Sequence, residues 1–423
     1  IHSQATYLVT GALGGIGLQL LEWLVARGAT SLIGIGRSAG NPGPAAALVL
    51  DRLRGAGVDC RLLEIDLGAS DDAGLAAQQQ LADTLAGLPP EKPLAGVFHA
   101  AGTLDDGLIG SQTEERFQRV MAAKLRGWQL LHQVVRPGPF FVAFSSMASV
   151  LGSPGQVAYS AANGALDDDC RSRSHDSNRS AEGVHLSLQW GPWAGAGMAG
   201  ALDERDRKRL RLLGIGLLEP AQAFEALELA LQRGESGTLA VLNNNWQQIA
   251  AQSDPRQAAL LSLLSKTDAS AEQAAAPLAR QALLGRLDHS PESQHQAIAV
   301  AVLQEKLASV MGLDDPSTLD PGESLFRIGL DSLMAVEMAA TINRDLGVKL
   351  ELESLVGEPT LEGLASFVLS ELRTPQLSKR PSGPDLARVA ELGNDWCING
   401  SFQSGDCPGD EILLTGASGF LGA

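Results

Sequence analysis

Cysteine is scarce in this sequence: Cys60, Cys170, Cys397 and Cys407 stand far apart, with no CxxC pair among them. Such spacing argues against a disulfide framework and a thiolate zinc site and in favour of reduced thiols, as expected of a cytoplasmic chain. No apolar run approaches the roughly 18 residues that mark a membrane span, and the N-terminus lacks the parts of a signal peptide, so no membrane role is expected. Positive charge is also short. With 32 basic against 49 acidic residues the net charge is -17, which argues against nucleic acid, because phosphate recognition needs a basic face, and favours a basic protein partner. What the chain does have is core material, 44% hydrophobic residues over 423 positions, enough for two or three domains.

From Ala5 to about Leu242, short β-rich runs (YLVT, SLIGIG, CRLLEID, GVFHAAG, FFVAFSS, HLSLQW) alternate with helical stretches such as Ile16 to Arg27. This is the pattern of a parallel sheet with crossover helices, an α/β doubly wound Rossmann-type domain over residues 1–250. Residues 251–289, rich in Ala, Gln, Ser and Leu, read as a helical or flexible linker. Over 290–373 only helical periodicity remains. Helices are expected from Ser290, as N-cap with Pro291 behind it, to Met311, and over Ser332–Leu346 and Thr360–Leu372, which suits a small all-α four-helix bundle. Residues 374–409 form a second linker, and 410–423 carry EILLTGASGFLGA, a strand and glycine-rich turn with nothing after it. With Ile1 at the start, the chain reads as a segment of a longer polypeptide.

The turn TGALGGIG, Thr10 to Gly17, lies between a strand and an amphipathic helix. Gly11, Gly15 and Gly17 let the backbone turn sharply and approach a pyrophosphate, whose charge meets the free N–H groups of the helix start. The competing reading is a plain turn. The second strand ends at Arg37-Ser38, where NAD would call for an acidic residue; arginine favours the 2′-phosphate of NADPH, unless it is a solvated surface residue. Asp66 closes the third strand and faces either the adenine or, as a cap, the backbone.

A four-residue step, Tyr159 to Asn163 in YSAAN, poses a chemical question. A tyrosine that gives up a proton near neutral pH needs a nearby cation to pull its pKa down from about 10, and Asn163 stands where a lysine one helical turn later would serve. TGALGGIG, the HAAG of His99 to Gly102, SSMASVLGSPGQVAYSAAN and WGPWAGAGMA together resemble the catalytic half of the ketoreductase domain of modular polyketide synthases, a branch of the short-chain dehydrogenase/reductases. The likeness runs over about residues 5–250. It implies that lysine and asparagine have exchanged places, so that Lys124, 35 residues before the tyrosine, lowers its pKa. Ser146, 13 residues before Tyr159, would orient a keto oxygen, Tyr159 would be the general acid, and Asn163 would hold a relay water. By the same resemblance the NADPH contacts include Thr10, Leu13, Gly14, Ile16, Leu67, Ala100, Ala101, Gly102, Pro192 and Trp193. His99 is expected to pack beneath the cofactor, and His185 to be a core histidine. Leu104-Asp105-Asp106 looks like the signature of B-type ketoreductases, with Leu151 where A-type domains carry tryptophan, implying a D-configured alcohol. Pro154 fits that type and Ala158 departs from it. Ala161 implies no action on an α-substituent. The family also has a structural half preceding the catalytic one, and that half is not found here.

FRIGLDSLMAVEM, Phe326 to Met338, resembles the 4′-phosphopantetheine attachment site of acyl carrier proteins, with Ser332 as the modified residue. A serine opening a helix suits a phosphodiester, because the helix N-terminus tolerates its charge. Leu333, Val336 and Ala340 are expected in the core, and Met334 and Glu337 outward, available to partners. Residues 290–373 hold 14 acidic and 5 basic side chains, and such a carrier docks on basic patches. TGASGFLG, Thr415 to Gly422, resembles the opening of a thioester reductase domain; another extended short-chain reductase or an epimerase is the competitor. The resemblances imply a phosphopantetheinyl transferase, a ketosynthase, an acyltransferase and a downstream reductase as partners of a tethered acyl chain. Two alternatives stay open: a non-catalytic dinucleotide-binding scaffold with a carrier, and a small-metabolite reductase fused to one.

Overall fold

The computed structural model describes residues 1–135, 138–175, 183–195, 197, 203–253, 261–265, 275–313, 315–350 and 359–373. The chain divides into one unit over Ile1–Leu372 and another over Arg373–Ala423. The second, with Cys397, Cys407 and the TGASGFLG turn, lies outside the described residues past Arg373.

Seven parallel strands form the main sheet, in the order β3-β2-β1-β4-β5-β6-β8. They are β1 (Thr6–Thr10), β2 (Ser31–Gly36), β3 (Asp59–Glu64), β4 (Leu94–His99), β5 (Phe140–Ser146), β6 (His185–Trp190) and β8 (Gly237–Val241). The strand order reverses direction between β1 and β4, which opens a crevice at the carboxyl ends of the strands, where such sheets take their ligands. Six of these strands coincide with the β-rich runs of the sequence and β8 is additional. A short antiparallel pair joins β7 (Ile215–Gly216) to β9 (Asn243–Asn244).

Helices cover both faces, as a sheet of continuous apolar strands requires. On one side α1 (Gly15–Ala26), α2 (Pro44–Gly55) and α9 (Pro220–Arg233) bury Leu20, Leu24, Leu50 and Leu227 against Val9, Phe98 and Leu188. On the other, α3 (Asp71–Ala86), α5 (Gly127–Val134) and α7 (Val157–His175) bury Leu81, Trp128, Leu131 and Leu166 against Leu8, Ile33 and Phe141. Cys60 and Cys170 are buried free thiols. Between them in sequence run α4 (Glu114–Met121) and the single turn α6 (Ala148–Leu151); α8 (Glu204–Leu212) and α10 (Trp246–Gln252) follow.

The helical part consists of α11 (Ala275–Asp288), α12 (His295–Met311), α13 (Ser332–Leu346) and α14 (Leu361–Arg373). Leu283 and Leu287 of α11, within the stretch read as linker, share the core of Leu303, Leu307, Met338, Ile342 and Val368. Two local expectations are corrected. Ser290 does not cap α12: Pro291 leads into a 3₁₀ turn at Glu292–Gln294, and the α-helix starts at His295. The inward face of α13 is made by Ala335, Met338, Ala339, Ile342 and Leu346, so Ala340 is exposed, Val336 half-buried and Met334 partly packed on the core. The helix is rotated by about one residue, or 100°, from the expected face. Among the described residues no helix is long and apolar enough to cross a membrane.

Candidate active site

The glycine turn after β1 forms one wall of a cavity of ≈ 1930 Å³ at the carboxyl end of the sheet. Gly11 has φ +65, and a Cβ on it would lie 2.8 Å from the Ala100 carbonyl oxygen, so only glycine lets the β1 and β4 ends approach. A side chain on Gly17 would strike the Gly11 carbonyl. Gly14 caps α1 with no side chain of its own, leaving the first N–H groups of the helix open to an anion. Leu13, Gly14, Gly15, Ile16 and Gly17 line the cavity, with Arg37 and Ser38 at the end of β2, and Asp66 and Leu67 after β3. Arg37 is exposed. The Asp66 Oδ1 accepts the Gly68 N–H at 2.9 Å, so this carboxylate serves its own turn while facing the cavity. Ala100, Ala101, Gly102, Pro192 and Trp193 complete the wall. These features fit a dinucleotide.

Thr10 does not line the cavity. It is fully buried behind the turn, where its Oγ1 accepts the Ala101 N–H at 3.1 Å and lies 2.9 Å from His99 Nδ1. The other ring nitrogen, Nε2, is 2.8 Å from the Lys124 carbonyl oxygen. A carbonyl can only accept, so Nε2 carries the proton and Nδ1 accepts from Thr10. Burial drives the His99 pKa down to about 3, with Lys124 acting the same way, which keeps the ring neutral and rules it out of acid–base work near pH 7. His99 is therefore a strut that ties the glycine turn to the segment of Lys124. That segment, Ala122–Arg126, is a five-residue π-helical turn between α4 and α5. Such a bulge widens the helix and turns a side chain inward.

Lys124 is 3% exposed. Its Nζ donates to the Phe144 carbonyl and stands over the Tyr159 ring, 6.0 Å from the centroid. Its path passes Gly102, where a Cβ would come within 2.8 Å of the lysine Cε. Burial lowers the Lys124 pKa to about 8, against the pull of the Asp167 carboxylate.

Tyr159, Asn163 and Asp167 recur every four residues and share one face of α7. Ala158 and Ala162 pack beside them on Val120 of α4. The Asn163 Nδ2 donates to the Tyr159 carbonyl at 2.8 Å, and its buried Oδ1 has no partner among the described residues. Ser146, at the end of β5, lines the cavity with Tyr159. Burial pushes the Tyr159 phenol above its ordinary value, with hydrogen bonds to Ser146 and Asn163 acting oppositely. Burial sets the balance on the phenol as it stands, and the Lys124 ammonium beside the ring is anchored on the Phe144 carbonyl.

Asp167 escapes the sequence reading. It is 2% exposed, and its carboxylate gathers Ser149 Oγ at 2.6 Å, Ser187 Oγ at 2.6 Å and Gln189 Nε2 at 2.7 Å. Ser149 Oγ also lies 2.8 Å from the Ser146 carbonyl, so the aspartate braces the strand end that presents Ser146. The signal was present in the sequence, since Asp167 continues the four-residue step of Tyr159 and Asn163.

In the loop after β4, Leu104 and Asp106 face the cavity and Asp105 does not. Asp105 is held by Arg116 at 2.6 Å and Arg119 at 2.8 Å. Asp106 accepts from Gln156 at 2.9 Å, three residues before Tyr159. His185, on β6, is buried against Phe141 and His132.

In the helical part Asp331 caps α13, its Oδ1 accepting the Met334 N–H at 2.7 Å. Ser332 is the first residue of the helix.

Residues 5–195 match the family described as KR domain, and residues 301–368 match the phosphopantetheine attachment site family. Polyketide synthase GfsA of Streptomyces halstedii is 35% identical over 412 residues, spanning 94% of this chain and 5% of its own length. Mycoketide-CoA synthase of Mycobacterium tuberculosis is 33% identical over 375 residues, 87% of this chain and 9% of its own. The chain therefore spans 5% and 9% of these two relatives. Among solved structures, PlmKR1, a ketoreductase from the first module of phoslactomycin biosynthesis in Streptomyces sp. HK803, aligns with a TM-score of 0.52 at 31% identity, covering 58% of this chain and 54% of that one. A structure of A-type ketoreductases from a modular polyketide synthase aligns at 0.51 and 32%, covering 59% and 49%.

Proposed function

We propose that this chain, which joins a ketoreductase domain to a phosphopantetheine carrier domain, is a segment of a modular polyketide synthase. It reduces a carrier-bound β-ketoacyl thioester to the β-hydroxyacyl thioester. The observation that carries the reading is one cavity that brings Tyr159 and Ser146 to the glycine cradle, with a buried lysine behind the tyrosine.

The glycine turn from Gly11 to Gly17 would hold NADPH, which when bound would supply the hydride for the β-keto carbon. Arg37 meets its 2′-phosphate and the open N–H groups of α1 meet its pyrophosphate. Ser146 donates a hydrogen bond to the keto oxygen, and Tyr159 delivers a proton to that oxygen as it becomes an alkoxide. The raised phenol pKa suits this role, because it keeps the proton on Tyr159 until the stronger base forms. As the proton leaves, the Lys124 cation behind the ring stabilises the phenolate. Asn163, with its orphan Oδ1, holds a water that returns a proton to the tyrosine. Leu104 and Asp106 border the entrance and direct the face of attack; the product is the D-configured alcohol of B-type domains. Ser332 bears the 4′-phosphopantetheine arm, installed by a phosphopantetheinyl transferase. Ketosynthase and acyltransferase domains supply the acyl chain in the cytoplasm, and a thioester reductase domain begins near Thr415.

The test is NADPH oxidation with a β-keto N-acetylcysteamine thioester. Tyr159→Phe, which removes only the proton, is expected to lower the rate at least about a hundredfold. A phenylalanine variant as fast as wild type would exclude Tyr159 as the acid.

A further inference from the structure

Glu337, expected to face outward for a partner, already has one. It forms an ion pair with Arg209 of α8, and the two side chains are only 17% and 18% exposed. Five of the nine residues of α8, ERDRKRLRL, are basic and two are acidic, whereas residues 290–373 carry 14 acidic against 5 basic side chains. Burial pulls the Arg209 guanidinium below its ordinary value, and Asp331, immediately before Ser332, acts with Asp206 in the opposite sense. A second contact is backbone-close: Gly312, the left-handed C-cap of α12, would place a Cβ 2.8 Å from the Arg205 carbonyl oxygen. Finally, the cavity that contains Tyr159 continues past Arg209 to Glu337, Ala340 and Thr341 on α13.

We infer that α8 is the docking surface on the reductase for the carrier of the same chain, with Arg209–Glu337 as the pair that fixes its register. Opposite charge brings the two surfaces together, and the half-buried pair orients α13. Glu337 is five residues after Ser332, about 7.5 Å along the helix, so the clamp sits near the attachment point and beside the mouth of the reductase cavity. The carrier is thereby presented where its cargo is reduced.

The inference rests on the ketoreductase and carrier assignments, and its test keeps them apart. The protein, charged on Ser332 with a β-ketoacyl phosphopantetheine, is followed for reduction of the tethered chain; in parallel it is given the free N-acetylcysteamine thioester, and arm loading is checked by intact mass. Glu337→Arg is expected to slow tethered reduction about tenfold or more, while loading and reduction of the free thioester stay at wild-type levels. Arg209→Glu is expected to slow tethered reduction similarly, and combining the two substitutions to restore most of it. Wild-type tethered rates in both single variants, or a double variant no better than either, would overturn the docking pair. A tethered rate that climbs with protein concentration would place another chain's carrier on α8 and overturn it too. No reduction of the free thioester by wild type would instead strike at the ketoreductase assignment itself.

Discussion

Asp167→Asn isolates a charge from a shape. In the protein, Ser187 approaches one carboxylate oxygen at 2.6 Å, and Ser149 and Gln189 approach the other at 2.6 and 2.7 Å. An asparagine oriented with its oxygen toward Ser149 and Gln189 keeps both of those bonds, and its NH₂ can donate to a reoriented Ser187 hydroxyl. The structural cost is then the difference between charged and neutral acceptors, about 1–3 kcal/mol. The electrostatic consequence falls on Lys124. Its pKa is held at about 8 by burial with the Asp167 carboxylate resisting, and losing that carboxylate moves it lower still. Lys124 then sheds its proton at a lower pH, so the alkaline fall in kcat/KM for NADPH-dependent reduction shifts toward neutrality, and the rate at pH 8 drops about tenfold or more. Ser187→Ala is the control: it deletes a bond to the same carboxylate and keeps the charge, so it lowers Tm without moving the profile. The assay is kcat/KM against pH for the three proteins, with melting curves at each pH. A profile for Asp167→Asn that overlays wild type, alongside a lowered Tm, would refute the coupling and reduce Asp167 to a packing residue.

Arg37→Ala removes a charge-assisted contact of about 1.5–3 kcal/mol, so NADPH is expected to bind about one to two orders of magnitude more weakly while NADH changes little; equal losses in titrations of both cofactors would make Arg37 structural. Incubation with coenzyme A and a phosphopantetheinyl transferase is expected to add one arm by intact mass, and Ser332→Ala to abolish the gain; an arm retained by the variant would remove the carrier assignment. Lys124 carries a stability signature as well. Its folded pKa of about 8 lies below the ordinary 10.5, so between these values the unfolded chain binds more protons and stability rises with pH. The penalty, up to about 3 kcal/mol, is complete below pH 8 and fades above it. Denaturant unfolding of wild type and Lys124→Met between pH 7 and 10 should therefore converge or cross as pH rises, and parallel curves would contradict a buried ammonium.

Local patterning made the sheet legible, and non-local packing limited the rest. Continuous apolar strands such as SLIGIG and FFVAFSS announce themselves, whereas β8, GTLAV, sits at the sheet edge with its central residues exposed, and an edge strand lacks the two-sided burial that writes a clear run. Ser290-Pro291 carries a sound helix-start signal that the chain spends on a 3₁₀ turn, because His295 Nε2 reaches the Leu287 and Ser290 carbonyls and satisfies that corner instead. On α13 the periodicity was right and its phase wrong: Ala335 and Ala339 face the core with Met338 and Ile342, while Val336 is only half-buried and lies on the cavity beside Glu337 and Ala340. In the site, residues on one helix could be found by counting, and the step from Tyr159 through Asn163 continues to Asp167. Lys124 could not be found that way. It reaches the ring through a π-helical turn whose carbonyl is pinned by His99, and past a glycine that has no Cβ to stop it. Gly102, read from sequence as a contact of the cofactor, is also what clears the path of the lysine. A Gly102→Ala change should therefore disturb Lys124 as much as the nucleotide: two functions meet at one missing methyl group, and only the three-dimensional arrangement reveals the second.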